Sequence, residues 1–385
     1  MSEDIVIIGS GFAARQLVKH LRQQDKKVTV RVIAADSCDE YNKPELSHVI
    51  SMRCAPDDLT RQTAAEWAES QNIIVHPFTT VSDIDTESRR IKSSAGEFPY
   101  GKLVLATGAS PIVPAVQGAD LLCTLNSQQE YRQCATRLMR ATRVLIIGGG
   151  LIGTELAMDL NRAGKQVTIT DRSAGLLSAL LPSEISGRLQ SRLMHNGVQM
   201  KFLTEVTAVA READTVEATF SDGEKKDYDA IVCAIGLRPD TGLAHKAGIE
   251  VHQGIVVDRT LATSVSGIYA LGDCAEIDGK RMPYLQPATL AAITLARDLT
   301  GQTAELTLPP MLIKIKTPDM PLHLAGDPAH PAYSWHMTFS PAGLMAKGYD
   351  PEGILRAFVV SEDQMKSAFG LLKELNTPAA SAAHP

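Results

Sequence analysis

Two glycine-rich turns, far apart in the chain, constrain the fold more than any other feature. Each follows an aliphatic run typical of a buried strand and precedes a helical pattern; their defining residues are Gly9, Gly11 and Ala14 in the first and Gly148, Gly150 and Gly153 in the second. The first position permits a tight turn, the second lets the backbone approach a pyrophosphate, and the third lets the helix pack on the strand; alanine is tolerated there. Phosphates bind at such helix N-termini. The pair predicts two bound dinucleotides; the alternative is two ordinary glycine-rich turns.

Length and composition narrow the class of protein. The 385 residues suffice for two or three domains. A net charge of −6 gives no electrostatic basis for binding nucleic acid. No apolar run approaches the ~20 residues that a membrane span needs, and no secretory signal is visible at the N-terminus. The six cysteines lack the spacing of a zinc site or a C-x-x-C motif. We therefore expect a cytoplasmic protein with no metal site.

Acidic residues behind predicted strands indicate how riboses are held. Asp171 ends the second strand of the βαβ unit that contains the second glycine turn. A carboxylate at this place accepts hydrogen bonds from ribose hydroxyls and repels a 2′-phosphate. This favours NADH over NADPH, although Arg172 beside it is a residue type that accommodates a 2′-phosphate. Asp36 is the corresponding residue after the first turn, with a turn or cap residue as the alternative. Asp273, behind Gly272, lies where ligands bind at sheet ends; its alternative is a helix N-cap.

The remaining pattern predicts local elements. A helix is expected over 58–70, and a hairpin is expected with strands over 216–221 and 228–234 around an Asp-Gly turn. From about Leu312, alternation of apolar and charged residues through Lys316 predicts a half-exposed strand that opens a separate small unit.

These motifs, in their order, resemble the FAD-dependent pyridine nucleotide oxidoreductases over about residues 4–310. The resemblance implies an α/β fold with two Rossmann-like, three-layer dinucleotide-binding domains of the glutathione-reductase type and a small α+β C-terminal domain. The implied domains are an FAD-binding domain over 1–115 and 245–310, an NADH-binding domain over 116–244, a C-terminal interface domain over 311–376 and a disordered tail over 377–385.

The resemblance also implies the site residues. For FAD they are Gly9, Gly11, Ala14, Asp36, Lys43, Pro44, Thr107, Gly108, Asp273 and Lys316. Among these, Asp273 is implied to hold the ribityl chain. For NADH they are Gly148, Gly150, Gly153, Glu155, Asp171 and Gly236.

The segment Tyr41-Asn42-Lys43-Pro44-Glu45-Leu46-Ser47 is similar to the Tyr-x-(Lys/Arg)-Pro-x-Leu-Ser segment of the rubredoxin and ferredoxin reductase branch, where the cation lies beside the flavin. We hypothesise that Lys43 and Glu155 are the catalytic residues and pair near flavin N5 before NADH binds, with Glu155 on the first turn of its helix. An unpaired buried charge there is costly. The alternatives are a solvated loop lysine and a surface glutamate. No paired cysteines occupy this segment, which argues against a thiol relay.

A narrower resemblance extends along nearly the whole chain, through residues 43–51, 149–153, 313–318 and 358–363. These are similar to the NADH:flavorubredoxin reductases of bacterial anaerobic nitric oxide detoxification. That group implies hydride transfer from NADH to FAD, then single electrons to the acidic rubredoxin domain of flavorubredoxin, with Lys316 approaching the flavin; a solvated edge strand is the alternative. Other open functions are a ferredoxin reductase of an oxygenase system, an NADH oxidase and an NADH-sensing flavoprotein.

Overall fold

A computed structural model describes residues 4–376; the tail expected to be disordered, Thr377–Pro385, lies outside them. The chain divides into two compact units. The first unit comprises Met1–Asn42, Asp57–Ser110 and Leu237–Leu308, and the second comprises Lys43–Pro56, Pro111–Gly236 and Pro309–Pro385, each so far as it is described. Over residues 4–376 the α-helices are α1 Phe12–Gln24, α2 Ala64–Gln71, α3 Gln128–Arg140, α4 Leu151–Arg162, α5 Ser183–His195, α6 Gly242–Lys246, α7 Leu285–Leu299 and α8 Ala368–Asn376.

The first unit is built on a parallel sheet. Its five strands lie in the order Ile268–Ala270, Lys102–Leu105, Ile5–Ile8, Val30–Ile33 and Ile74–His76. Ile5–Ile8 is buried along its whole length, as expected for a strand covered on both faces. Helices α1 and α7 pack on the sheet, and the antiparallel strands Val81–Asp85, Arg90–Ser93 and Gly96–Pro99 contribute Ile84 and Ile91 to the same core. This gives the three layers that the family resemblance implied.

The second unit repeats this plan. Its parallel strands lie in the order Gln199–Phe202, Gln166–Asp171, Arg143–Ile147 and Ala230–Cys233. Side chains alternate along a strand, so successive residues of Arg143–Ile147 face opposite layers. Leu145 and Ile147 pack on the antiparallel strands Val206–Glu212, Thr215–Phe220 and Lys225–Tyr228. Ile146 lies on the other face, near Gly153 of α4.

The second unit also contains the small C-terminal domain. Its antiparallel strands lie in the order Ile313–Ile315, Leu322–Gly326, Leu355–Glu362, Gly343–Tyr349 and Ser334–Ser340. Phe358 and Val360 form a core there with Leu371 of α8. The alternation predicted before Lys316 is present: Ile315 is buried, whereas Lys314 and Lys316 are exposed.

Two local predictions were wrong. The helix expected over 58–70 is a 3-10 turn Pro56–Leu59, a short strand Thr60–Gln62 and then α2, because Thr63 forms a capping box with Glu66 and starts the helix there. The hairpin partner expected over 228–234 is Lys225–Tyr228, and Ala230–Cys233 joins the parallel sheet beside Arg143–Ile147 instead. Its burial on both faces suits that sheet.

The remaining strands are short. They are Glu40–Tyr41, Ala109–Pro111, Leu237–Pro239, Ile255–Val257 and Ala275–Ile277.

Candidate functional site

The first glycine turn has the geometry of a phosphate cradle. Gly9 has a φ of +111°, and a Cβ there would lie 2.1 Å from the carbonyl oxygen of Ala106, so only glycine fits without moving the backbone. Gly11 is the N-cap of α1, where a Cβ would meet nothing within 4 Å and no side chain caps the helix. Ala14 is fully buried on α1, consistent with its expected packing role.

The second turn repeats the cradle. Gly148 has a φ of +109°, and a Cβ there would lie 2.4 Å from the carbonyl oxygen of Ala234. A Cβ on Gly153 would lie 1.9 Å from the carbonyl oxygen of Gly148, so its absence lets α4 approach the turn. Gly150 caps α4 without a side-chain hydrogen bond and faces open space.

Both helix N-termini are therefore suited to an anion. Neither α1 nor α4 carries an acidic residue in its first turn. Their first N–H groups have no intrahelical partner, and the helix dipole adds positive potential at that end. The open space at Gly11 and Gly150 is where a pyrophosphate could approach the backbone.

The two predicted ribose acids lie at their turns. Asp171 Oδ2 accepts a hydrogen bond from the Gly149 N–H at 2.6 Å, and its Oδ1 accepts one from the Ser173 N–H at 2.6 Å. Asp36 Oδ1 accepts from the Ser10 hydroxyl at 2.6 Å and from the Cys38 N–H at 3.0 Å. Asp36 thus contacts the glycine turn through Ser10. It also makes a local hydrogen bond with Cys38, as expected for the alternative role of a turn residue.

Other predicted residues occupy strand ends. Thr107 follows Lys102–Leu105 and donates from Oγ1 to the Asp240 carbonyl at 2.7 Å, and Gly108 accepts from the Asp240 N–H at 3.0 Å. Asp273 follows Gly272, whose Cα approaches α1 so closely that a Cβ would lie 2.8 Å from Ala13. These residues of the first unit therefore lie at the carboxyl ends of its strands, where nucleotides bind in such sheets.

Gly236, in the second unit, follows Ala230–Cys233 in the same way. Its φ is +116°, and its carbonyl accepts a hydrogen bond from the Ile112 N–H at 3.0 Å. Gly236 therefore lies just past the carboxyl end of a strand that pairs with Arg143–Ile147, the strand leading into Gly148.

The Lys43 segment, Lys43–Pro56, begins with a 3-10 helix over Lys43–His48 that includes Pro44. Glu155 lies in the second turn of α4, one turn later than expected, because the helix begins at Leu151. Its Oε1 accepts a hydrogen bond from the main-chain N–H of Lys316 at 3.1 Å. The structure thus brings Glu155 and Lys316 together. The pairing of Glu155 with Lys43 stays a prediction.

Asp159 is a residue that the sequence analysis missed. It is 2% exposed, and Oδ2 accepts from the Ile50 N–H at 2.9 Å and from the Ser51 N–H at 3.3 Å. Its Oδ1 also accepts from the Ser51 hydroxyl. The sequence signal was an acid flanked by the apolar positions Met158 and Leu160 on a helix, since a buried carboxylate needs several donors.

Two cysteines of the second unit, Cys123 and Cys134, lie together. Cys123 and Cys134 are buried and share a side-chain hydrogen bond. The bond lowers the pKa of the Cys123 thiol, with a further contribution from the charge of Arg137, and it raises the pKa of Cys134, which burial raises further. The spacing of these cysteines did not predict the contact, because it depends on how α3, which carries Cys134, packs against the segment around Cys123. None of the six cysteines forms a disulfide among residues 4–376.

Among the described residues, no three histidine, cysteine or acidic side chains cluster as a metal site would require. No helix between residues 4 and 376 combines the length and the apolar character of a membrane span.

Comparison with known proteins assigns the chain to a family. The family model described as pyridine nucleotide-disulphide oxidoreductase matches residues 3–292. The chain belongs to the pyridine nucleotide-disulphide oxidoreductase family. A second model, described as rubredoxin binding C-terminal domain, matches residues 305–375 of this oxidoreductase and so includes the five antiparallel strands of its small domain.

Relatives of this oxidoreductase carry a more specific name. Proteins of Klebsiella pneumoniae and Escherichia coli named nitric oxide reductase FlRd-NAD(+) reductase are each 54% identical over 375 residues, which is 97% of this chain and 100% of theirs. The solved structure of a ferredoxin reductase from Rhodopseudomonas palustris is 26% identical, with a TM-score of 0.88 covering 97% of this chain and 96% of that one. The predicted fold class is confirmed.

Proposed function

We propose that this oxidoreductase is an FAD flavoprotein that passes electrons from NADH to the rubredoxin domain of a flavorubredoxin, in bacterial nitric oxide detoxification. The observation that carries the proposal is the combination of two phosphate cradles with a C-terminal domain that matches a rubredoxin-binding family. The relatives' name, nitric oxide reductase FlRd-NAD(+) reductase, supports the same donor and acceptor.

The residues proposed to bind each nucleotide follow the two cradles. FAD is assigned Gly9, Gly11, Ala14, Asp36, Lys43, Pro44, Thr107, Gly108, Asp273 and Lys316. NADH is assigned Gly148, Gly150, Gly153, Glu155, Asp171 and Gly236. The support is that the turns leave space for phosphate and that an acid lies at each turn. The domain limits 1–115 with 245–310, 116–244 and 311–376 belong to the same proposal.

Bound FAD supplies the chemistry that converts the two-electron donor NADH to one-electron transfers. The chain's own residues bind and orient. Asp171 accepts from the adenosine ribose of NADH and disfavours a 2′-phosphate. Lys43 provides a positive charge in the flavin site, and Glu155 fixes the backbone at Lys316. Since the reaction needs close stacking of donor and acceptor rings, positioning is the main contribution of these side chains.

We also propose a cytoplasmic location. The support is the set of six cysteines without a disulfide among the described residues, which suits a reducing compartment.

The function is tested by anaerobic titration of the purified protein with NADH, followed by oxidised acceptors. NADH is expected to bleach the flavin stoichiometrically, and a rubredoxin domain of flavorubredoxin is expected to reoxidise it faster than a ferredoxin does. Ferredoxin is the alternative acceptor to compare, because the chain is structurally similar to a ferredoxin reductase. A faster ferredoxin reaction would assign the protein to an oxygenase system, and slow turnover with both acceptors would indicate an NADH sensor.

A further inference from the structure

One face of α4 holds two backbone segments that each carry a lysine of the proposed flavin site. Glu155 and Asp159 are four residues apart, so their side chains lie on the same helix face. Glu155 accepts from the N–H of Lys316, and Asp159 accepts from the N–H groups of Ile50 and Ser51 in the Lys43 segment.

The Asp159 carboxylate holds the backbone at Ile50 and Ser51 through several hydrogen bonds. A buried carboxylate requires donors on both oxygens, because an uncompensated charge in the interior costs several kcal/mol. Asp159 is 2% exposed and receives two main-chain N–H groups and one hydroxyl, all from Ile50 and Ser51. Charge-assisted bonds to main-chain donors fix backbone position more directly than bonds to mobile side chains.

The anchored backbone is coupled to Lys43 through a compact segment. The 3-10 helix Lys43–His48 ends two residues before Ile50, and Ser47 Oγ donates to the Pro44 carbonyl at 3.1 Å within it. Beyond Ile50, the Cys54 N–H donates to the Val49 carbonyl at 3.0 Å. Leu46, Val49 and Ile50 are buried. A displacement at Ile50–Ser51 is therefore expected to move the start of this helix as well.

We propose that Asp159 is a positioning residue that sets the location of Lys43 for the flavin chemistry by anchoring Ile50 and Ser51 to α4. The inference rests on the proposed function, since it takes Lys43 to act on the flavin. Asp159 itself acts only through the backbone of the Lys43 segment.

The first measurement is amide hydrogen exchange of the holoprotein, which does not depend on activity. Asp159→Asn removes the charge and one acceptor, so the amides of Ile50 and Ser51 are expected to exchange at least about tenfold faster. Asn161→Ala is the matched control, because Asn161 lies on α4 with its side chain donating to the Asn196 carbonyl instead. Unchanged exchange at Ile50 and Ser51 in Asp159→Asn would overturn the anchor.

The second measurement is the flavin midpoint potential in a double-mutant cycle with Lys43→Gln. Asp159→Asn is expected to lower the potential in the same direction as Lys43→Gln, since each withdraws a positive charge from the reduced flavin, and the double variant is expected to match Lys43→Gln alone. A wild-type potential in Asp159→Asn, or a shift that adds fully to that of Lys43→Gln, would overturn the proposal.

The outcomes separate this inference from the proposed function. If Lys43→Gln itself has a wild-type potential, the role of Lys43 in the proposed function fails and this inference fails with it. If Lys43→Gln shifts the potential and Asp159→Asn does not, only the inference fails. Should Asp159→Asn not fold, Ser51→Ala removes the hydroxyl donor alone; the same potential shift, smaller in size, is then expected, and its absence would refute the proposal.

Discussion

Among single residues, two carboxylates in different units each accept a hydrogen bond from a glycine turn. Asp36 accepts from Ser10 in the first glycine turn, and Asp171 accepts from the Gly149 N–H in the second. Each acid therefore stabilises the turn beside which a ribose is proposed to bind. Loss of either side chain is expected to affect both the turn and the nucleotide, so a conservative amide is the informative replacement.

Asp171→Asn is expected to reduce the preference for NADH over NADPH. The amide keeps one acceptor oxygen, but it removes the negative charge that repels a 2′-phosphate. The ratio of kcat/KM for NADH to that for NADPH should fall about tenfold or more, mainly through KM. Steady-state kinetics with both nucleotides measures this, with Asp214→Asn, an exposed acid of the same unit, as the control. An unchanged ratio would remove Asp171 from the nucleotide site.

The sequence predicted the residues of the two cradles but not the residues that join segments. Glycines and acids at a strand–turn–helix junction are set by local geometry, so Gly9, Gly148 and Asp171 could be found from spacing. Asp159 and the Glu155–Lys316 contact join residues more than 100 positions apart. Such contacts depend on how whole elements pack, which no local pattern encodes.

At the element scale, α4 is the helix whose placement matters most. Its N-terminus is one of the two open cradles, and its next turns hold Lys316 through Glu155 and Ile50 through Asp159. The close approach of α4 to the turn depends on Gly153, where a side chain would collide with the Gly148 carbonyl. The helix therefore couples the second glycine turn to both lysine-bearing segments.

Gly153→Ala is expected to destabilise the protein. The new Cβ would lie 1.9 Å from the Gly148 carbonyl oxygen, so α4 must move, at a cost of about 1–3 kcal/mol. Gly187→Ala in α5 is the matched control, because a Cβ there meets nothing within 4 Å, and it should be neutral or stabilising by up to about 1 kcal/mol. Urea unfolding measures both free energies. Equal effects would show that α4 does not depend on this close approach.

The sheet of the small domain is expected to respond to pH through His323. Burial, and then the charge of Lys314 on the paired strand, lower the pKa of His323 below its ordinary value of 6.5, and its Nδ1 is buried without a partner in the described chain. Protonation therefore favours the unfolded chain, and this contribution to stability is lost as pH falls through 6.5 toward the folded-state pKa.

His323→Gln should flatten that part of the pH dependence. The measurement is the melting temperature of the wild type and of His323→Gln between pH 8 and pH 5. His195→Gln, which changes an exposed histidine, is the control. Parallel curves for wild type and His323→Gln would contradict the role of His323.

Sequence patterns located most elements but misplaced two. The helix expected over 58–70 begins later than predicted, because the Thr63 capping box starts α2 at Ala64, after the 3-10 turn Pro56–Leu59 and the strand Thr60–Gln62. The expected hairpin strand over 228–234 failed because Ala230–Cys233 is apolar enough for either an antiparallel or a parallel neighbour. Only the tertiary position of Arg143–Ile147 decides which strand it joins.

For the molecule as a whole, a chain of net negative charge is proposed to bind an acidic electron acceptor, the rubredoxin domain. The net charge is −6, so any attraction must come from local charges. Lys314 and Lys316 are exposed at and just beyond the edge strand Ile313–Ile315 of the domain that matches the rubredoxin-binding family. Local positive charge of this kind steers association without changing the fold.

Reduction of the acceptor is therefore expected to slow as salt rises. Lys314→Gln should lower the second-order rate constant at low salt by about two- to tenfold and weaken its dependence on ionic strength. Stopped-flow reduction of a rubredoxin domain measures both, with Lys26→Gln, an exposed lysine of the first unit, as the control. A rate that ignores salt would contradict docking on this surface.

The two glycine turns are proposed to bind different dinucleotides, FAD at the first and NADH at the second. The most direct test measures flavin content and NAD⁺ binding in Gly11→Ala and Gly150→Ala, because both positions accept a Cβ without a clash within the protein. Gly11→Ala is predicted to be folded and colourless, with NAD⁺ binding retained. Gly150→Ala is predicted to be yellow, with NAD⁺ binding lost. Loss of both nucleotides in either variant, or of neither nucleotide in both, would contradict the assignment of one dinucleotide to each turn.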